Sequence, residues 1–132
     1  GINFNEITQT APLREGTAAG RGFAVSGGVA EAVREAISHI DPDREVKTAC
    51  AQGLKDCRKM LTLAKAGKYD GYLLEGMACP GGCVAGAGTL LPIEKAAAIV
   101  RNYTAQAEEK SATETKYEAT LPLLLDDEED AE

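Results

Sequence analysis

At 132 residues, with 44% apolar and 27% charged side chains, the chain has the size and composition of a single globular domain. A domain of that length buries roughly two-thirds of its unfolded surface, enough for a core without staples. The formal charge of −7 is concentrated at one end, where Asp126, Asp127, Glu128, Glu129, Asp130 and Glu132 carry six negative charges and leave −1 for the rest. A near-neutral body with no basic stripe along the sequence gives no electrostatic footprint for nucleic acid, and no apolar run approaches the roughly 18 residues of a membrane span.

Residues 1–20 hold few periodic apolar positions and include Pro12, Gly16 and Gly20, so they read as an irregular opening segment. The first ten residues, "GINFNEITQT", show no initiator Met, positive first segment or apolar signal core, so the expectation is a piece excised from a longer protein in a cytoplasmic setting. Phe23 to Val25 forms a short apolar run and Ser26-Gly27-Gly28 a turn. Val29, Val33, Ala36, Ile37 and Ile40 then recur at helical spacing, with Ser26 as the expected cap. The stretch "DPDREV" ends that helix, because the residue before Pro42 avoids helix and Asp favours turns.

A strand at Val46–Ala51, a helix through Leu54, Met60, Leu61 and Ala64 ended by Gly67, and a second strand in "YDGYLLEGM" follow. A βαβ unit of this length implies right-handed parallel pairing in an α/β fold, a small parallel sheet with flanking helices. A glycine-rich loop leaves the carboxyl end of the second strand, where open parallel sheets collect ligands. Pro92 then opens another helix, "IEKAAAIVRNYTAQAEEK". The expected organisation is a lobe over 21–106 and a polar, then acidic, tail over 107–132 that is largely disordered, with "LPLLL" at 121–125 apolar enough to dock on the domain or on a partner.

The loop "EGMACPGGCVAGAGTLLP" places Cys79 and Cys83 among five glycines. Phosphate binding is a weak reading, because the loop lacks the Gly-Lys-Ser/Thr end of a Walker loop and the third glycine of a dinucleotide fingerprint. The CxxxC spacing is neither that of a thioredoxin-like pair nor half of a zinc ribbon, and Cys50 and Cys57, on other elements, read as small partly buried side chains. An iron–sulfur site accounts for thiols and glycines together, since a bulky inorganic cluster must come close to bare backbone and its amides. His39, the only histidine, has no neighbour at metal-ligand spacing and receives no role.

The same stretch resembles the third signature of the H-cluster domain of iron-only (FeFe) hydrogenases, Glu-x-Met-x-Cys-x-x-Gly-Cys-x-x-Gly-Gly-Gly-x-Pro. Glu75, Met77, Cys79, Gly82, Cys83, Gly86 and Gly88 match, while Ala87 replaces the middle glycine and Thr89-Leu90-Leu91 puts two extra residues before Pro92. Upstream, "FAVSGGVAEAVREA" and "ACAQGLKDCRKML" are similar to further segments of that family in the same order.

The resemblance implies one lobe of a hydrogenase catalytic domain and, in the full-length parent, a 4Fe-4S cubane joined through a cysteine sulfur to a two-iron centre that interconverts protons, electrons and dihydrogen. On this chain it makes Cys79 a terminal cubane ligand and Cys83 the bridging cysteine, places Met77 beside the two-iron centre, and puts Phe23 and Val29 at positions lining the same pocket. Gly82 and Gly86 belong to the cofactor-binding loop, and Glu75 hydrogen-bonds loop amides in preference to shuttling protons. The other two cubane cysteines, in Thr-Ser-Cys-Cys-Pro and Met-Pro-Cys signatures, are not in this chain, so the expected partners are the remaining N-terminal part of the catalytic domain and a ferredoxin-like electron donor or acceptor. The isolated chain is expected to be inactive. Two alternatives stay open: a hydrogenase-like redox sensor or iron–sulfur assembly domain, and an α/β interaction domain whose thiols are incidental.

Overall fold

The computed structural model describes residues 3–6 and 15–120. After a 3₁₀ turn at Phe4–Glu6 come α1 (Ala18–Gly22), α2 (Gly28–Ile40), β1 (Lys47–Gln52), α3 (Leu54–Lys65), β2 (Tyr72–Met77) and α4 (Ile93–Ala105). Three further 3₁₀ turns lie at Cys83–Ala85, Ala112–Glu114 and Lys116–Thr120. The architecture is α/β: β1 and β2 pair in parallel from Lys47 opposite Tyr72 to Gln52 opposite Met77, and α3 makes the crossover.

The periodicity of the helices places them well. Met60 is the buried residue of α3, whose small inner residues face the strands, while Ala30 and Ala32 are buried in α2. Both α2 and α3 pack on both strands, and α1 packs between α2 and α4. The first strand runs Lys47–Gln52, one residue later than the sequence pattern placed it, because its pairing is fixed by β2 and not by where its own apolar run begins. Pro92 stands at the N-cap of α4, just outside the first helical position.

The helix cap differs more instructively. Ser26 does not cap α2: the N-cap is Gly27 in a left-handed conformation with no side-chain cap of its own. The helix start is satisfied from across the fold, where the buried carboxylate of Glu75 on β2 accepts the amide protons of Gly27 and Ala30. Two oxygens on two amides at a helix N-terminus complement both the unpaired donors and the positive end of the helix dipole. The Ser26 hydroxyl is left buried without a hydrogen-bond partner.

The core is made of small side chains, with Ala30, Ala32, Ala51, Met60, Val84, Ala97 and Ala107 buried. Larger apolar residues stay on the outside, among them Ile40, Leu54, Leu61, Leu90 and Ile99. A surface of that kind marks a place where another surface sits. Residues after α4 fold back on α1: the Ala18 and Ala19 amides donate to the carbonyls of Glu109 and Lys110 at 2.8 and 2.9 Å. Ser111, 1% exposed, forms a capping box with Glu114. His39 Nδ1 lies 3.1 Å from the Thr113 hydroxyl, a structural contact at the end of α2. The "LPLLL" stretch and the acidic cluster lie outside the described residues, as do residues 7–14.

Candidate metal centre

The strand ends that face the cysteine loop are held by an unusual set of contacts. The Gly53 amide donates to the Met77 carbonyl at 2.8 Å, and the Cys57 thiol sits between the carbonyls of Ala51 and Met77, at 3.6 and 3.5 Å. The Gln52 side-chain carbonyl accepts the Gly81 amide at 2.8 Å. β1, β2 and the head of α3 are thereby fixed to one another and to the first turn of the loop. This explains why Cys57 reads as an inward small residue of α3: its thiol closes the strand ends.

The loop itself is fastened to the turn before α2 by backbone alone. Ser26 N donates to Gly81 O at 3.0 Å and Val84 N to Ala24 O at 3.1 Å. Gly82, buried between these two bonds, has φ +98 and ψ −164, and a Cβ there would lie 2.5 Å from Ser26 N and 2.7 Å from Ala24 O. Only glycine fits such a position. Because Gly82 is pressed against the 24–26 backbone, the next residue, Cys83, begins a 3₁₀ turn at a fixed place.

The two thiols differ in surroundings. Cys79 is half-buried, Cys83 exposed, and both are free. Gly86 comes back beside the first of them: a Cβ built on it would stand 3.9 Å from Cys79 Sγ and 3.2 Å from Cys83 O. The missing side chain leaves the Cys79 sulfur uncovered on that side. Met77 ends β2, two residues before Cys79, and is half-buried. Phe23, 46% exposed at the C-cap of α1, and Val29, half-buried in the first turn of α2, flank the 24–26 backbone on which the loop is docked. The fold thus brings the 23–29 turn and the 77–86 loop together.

Against the expectation that Glu75 binds amides of its own glycine loop, it binds those of Gly27, the N-cap of α2, and Ala30 in the first turn of that helix, which the strand pairing brings nearer. Sequence inspection could not find that pairing, which joins positions 48 and 45 residues apart. Cys50, on β1, does not join the other thiols. Its pKa is pushed up by burial and by the negative charge of Glu75, which keeps it a thiol. Among the described residues no three His, Cys, Asp or Glu side chains come together as a metal-binding group. Two cysteines on one loop therefore fit part of a cluster's donor set and not the whole of it.

Among the described residues no helix is long and apolar enough to cross a membrane. The periplasmic [Fe] hydrogenase large subunit of Nitratidesulfovibrio vulgaris is 31% identical over 117 residues, covering 67% of this chain and 28% of that protein. The chain therefore spans just over a quarter of the relative's length, and the relative's name gives no support to the cytoplasmic setting expected above. The profile described as "Iron only hydrogenase large subunit, C-terminal domain" matches residues 1–87, a stretch that holds both cysteines, the Glu75 clasp and the glycine contact at position 82. On that match the chain belongs to the family of iron-only hydrogenase large subunits, as part of their C-terminal domain.

Proposed function

We propose that this chain supplies one lobe of the H-cluster pocket of an iron-only hydrogenase, with Cys79 and Cys83 as two of the cluster's cysteine ligands. The observation that carries this reading is the docking of the loop at Gly82, which holds the cysteine loop at the carboxyl end of the sheet by backbone bonds to the 24–26 turn, with the Gln52 side chain on Gly81. The bound cluster, a 4Fe-4S cubane with a two-iron centre, would supply the interconversion of protons, electrons and dihydrogen.

The chain's own residues hold, orient and shield. Cys79, half-buried and uncovered beside Gly86, suits a terminal ligand of the cubane. Cys83, the exposed thiol, suits a sulfur that must be reached from two sides. The soft thioether of Met77, with Phe23 and Val29, would exclude water around the two-iron centre, and the open exposure of Phe23 leaves a face for the rest of the catalytic domain to cover. The remaining cysteine ligands would come from that part, and electrons from a ferredoxin-like carrier. The isolated chain is accordingly inactive.

Iron and acid-labile sulfide per chain, measured after anaerobic co-production with the missing N-terminal part of the catalytic domain, test the reading against the Cys79→Ala, Cys83→Ala double variant. Iron and sulfide that disappear in the variant support it. Equal metal content in both proteins, or zinc in place of iron, would refute it.

A further inference from the structure

The sheet is two strands wide, and its edge on β1 is open. Gly53, just past β1, donates its amide to Met77, so by the alternation of a parallel ladder Lys47, Ala49 and Ala51 turn their amides and carbonyls toward β2. Thr48, Cys50 and Gln52 turn theirs the other way, where they have no backbone partner among the described residues. All three residues are exposed. Two strands alone make a marginal sheet, and an open edge is a template for another strand.

A groove of about 630 Å3 runs along this edge, from Tyr69 in the turn before β2 to Pro80 beyond the carboxyl ends of the strands. Met60 and Leu63 of α3, buried and half-buried, form its floor, and the exposed Asp56 and Lys59 its rim. Residues from both faces of β1 line it. Ala51 lies on the α3 face: the Cys57 thiol meets its carbonyl, and a Cβ on the paired Gly76 would stand 3.3 Å from that sulfur. Cys50 lies on the α2 face, paired with Glu75 and with its sulfur 3.9 Å from where a Cβ on Gly27 would be. A groove touched by both faces of a strand and by one flank of a helix lies over the strand's edge.

We propose that an extended segment from the part of the large subunit outside this chain pairs with β1 along this groove, as a third strand of the sheet. The length fits, since β1 has six residues, about 20 Å of strand. The chemistry fits as well. The outward amides and carbonyls of Thr48, Cys50 and Gln52 supply the ladder, and alternate apolar side chains of the segment would cover Met60, Leu63 and Tyr69, with a polar one between Asp56 and Lys59. The family supplies the source: the chain belongs to the C-terminal domain of a large subunit and covers 28% of one such relative, so most of a protein of that kind lies outside it. The inference rests on that membership and not on cluster ligation. The added strand would lie beside Gln52, whose side-chain carbonyl accepts the Gly81 amide, and would stiffen the strand end that supports the cysteine loop.

Residue-resolved hydrogen exchange of the metal-free chain, alone and bound to the co-produced remainder of the catalytic domain, tests this. The amides of Thr48, Cys50 and Gln52 should exchange at least about tenfold more slowly in the complex, whereas those of Ala49 and Ala51, bonded to β2, should be slow in both. Thr48→Pro removes one outward donor at a place where an edge strand tolerates proline. It should weaken binding at least about tenfold and leave the circular dichroism of the isolated chain unchanged. If that variant does not fold, the exchange comparison decides by itself. Equal exchange of the three amides with and without the partner, slowing confined to Leu74 and Gly76 on the edge of β2, slowing already present in the concentrated chain alone, undiminished binding of a folded Thr48→Pro chain, or no association of the two parts would each overturn the proposal. All of these measurements use metal-free protein, so a failure of the cluster reading leaves them untouched.

Discussion

The two ends of the cysteine loop contain glycine for different reasons. At Gly82 the backbone lies against another backbone, in a conformation closed to side chains and with no space for a methyl group. At Gly88, φ is +90 but nothing lies within 4 Å of where a Cβ would be. The first glycine holds the cysteines to the fold, and the second only turns the chain toward Leu90, which is 97% exposed. This contrast also accounts for where the loop departs from the hydrogenase signature. Ala87 and the two extra residues before Pro92 fall in the exposed half, 87–91, while the half that carries Cys79 and Cys83 is anchored at buried Gly82 and Val84.

Substitution series break or sharpen the contrast. Gly82→Ala should have the largest effect, roughly 3 kcal/mol or more, since it combines a disallowed backbone conformation with backbone clashes that cannot relax independently. Urea unfolding should show a collapse of the midpoint, and a wild-type midpoint would mean that the loop is not docked as described. Next in size is Glu75→Ala, which leaves two helix-start amides buried without acceptors and should cost about 2 kcal/mol, with faster hydrogen exchange confined at first to the start of α2. Gly86→Ala should change stability by less than about 1 kcal/mol, because the contacts it creates need shifts of only a few tenths of an ångström. Its mark should appear in iron uptake by the co-produced protein, through the added methyl beside Cys79. Gly88→Ala should be the mildest for the site, with metal content unchanged, although its left-handed backbone makes it cost about 1 kcal/mol of stability. A larger loss at Gly88 than at Gly82 would reverse the comparison.

A pH effect should appear in the 107–120 turn and spare the loop. The backbone amides of Ser111 and Lys110 hold the Glu114 carboxyl below its usual range. A lowered folded-state pKa gives stability that is present above the unfolded pKa and lost as pH falls through the folded one. Hydrogen exchange at residues 110–114 should therefore rise on acidification below the ordinary carboxylate range, and Glu114→Gln should remove that dependence.

Much of this arrangement was legible in the sequence, for identifiable reasons. The helices α2, α3 and α4 announced themselves by periodicity, and the βαβ order by two apolar runs around an amphipathic segment. Cys79 and Cys83 stood out because one explanation covers thiols and glycines together. What escaped were contacts set by tertiary approach. Ser26 looked like a cap because capping residues are judged locally, whereas a carboxylate on a distant strand took that place. The same blindness hid Gln52 as the acceptor for Gly81.

The Glu75 clasp also orders events in time. Its carboxylate is aimed at the start of α2 only when β2 lies beside β1, and that pairing, between positions 25 residues apart, needs α3 to be in place. The βαβ unit can assemble from contiguous chain, whereas the clasp and the Gly82 docking bridge to residues synthesised some fifty positions earlier. On the ribosome, then, the two cysteines acquire a fixed position only after the βαβ unit has paired and its loop has met the turn before α2.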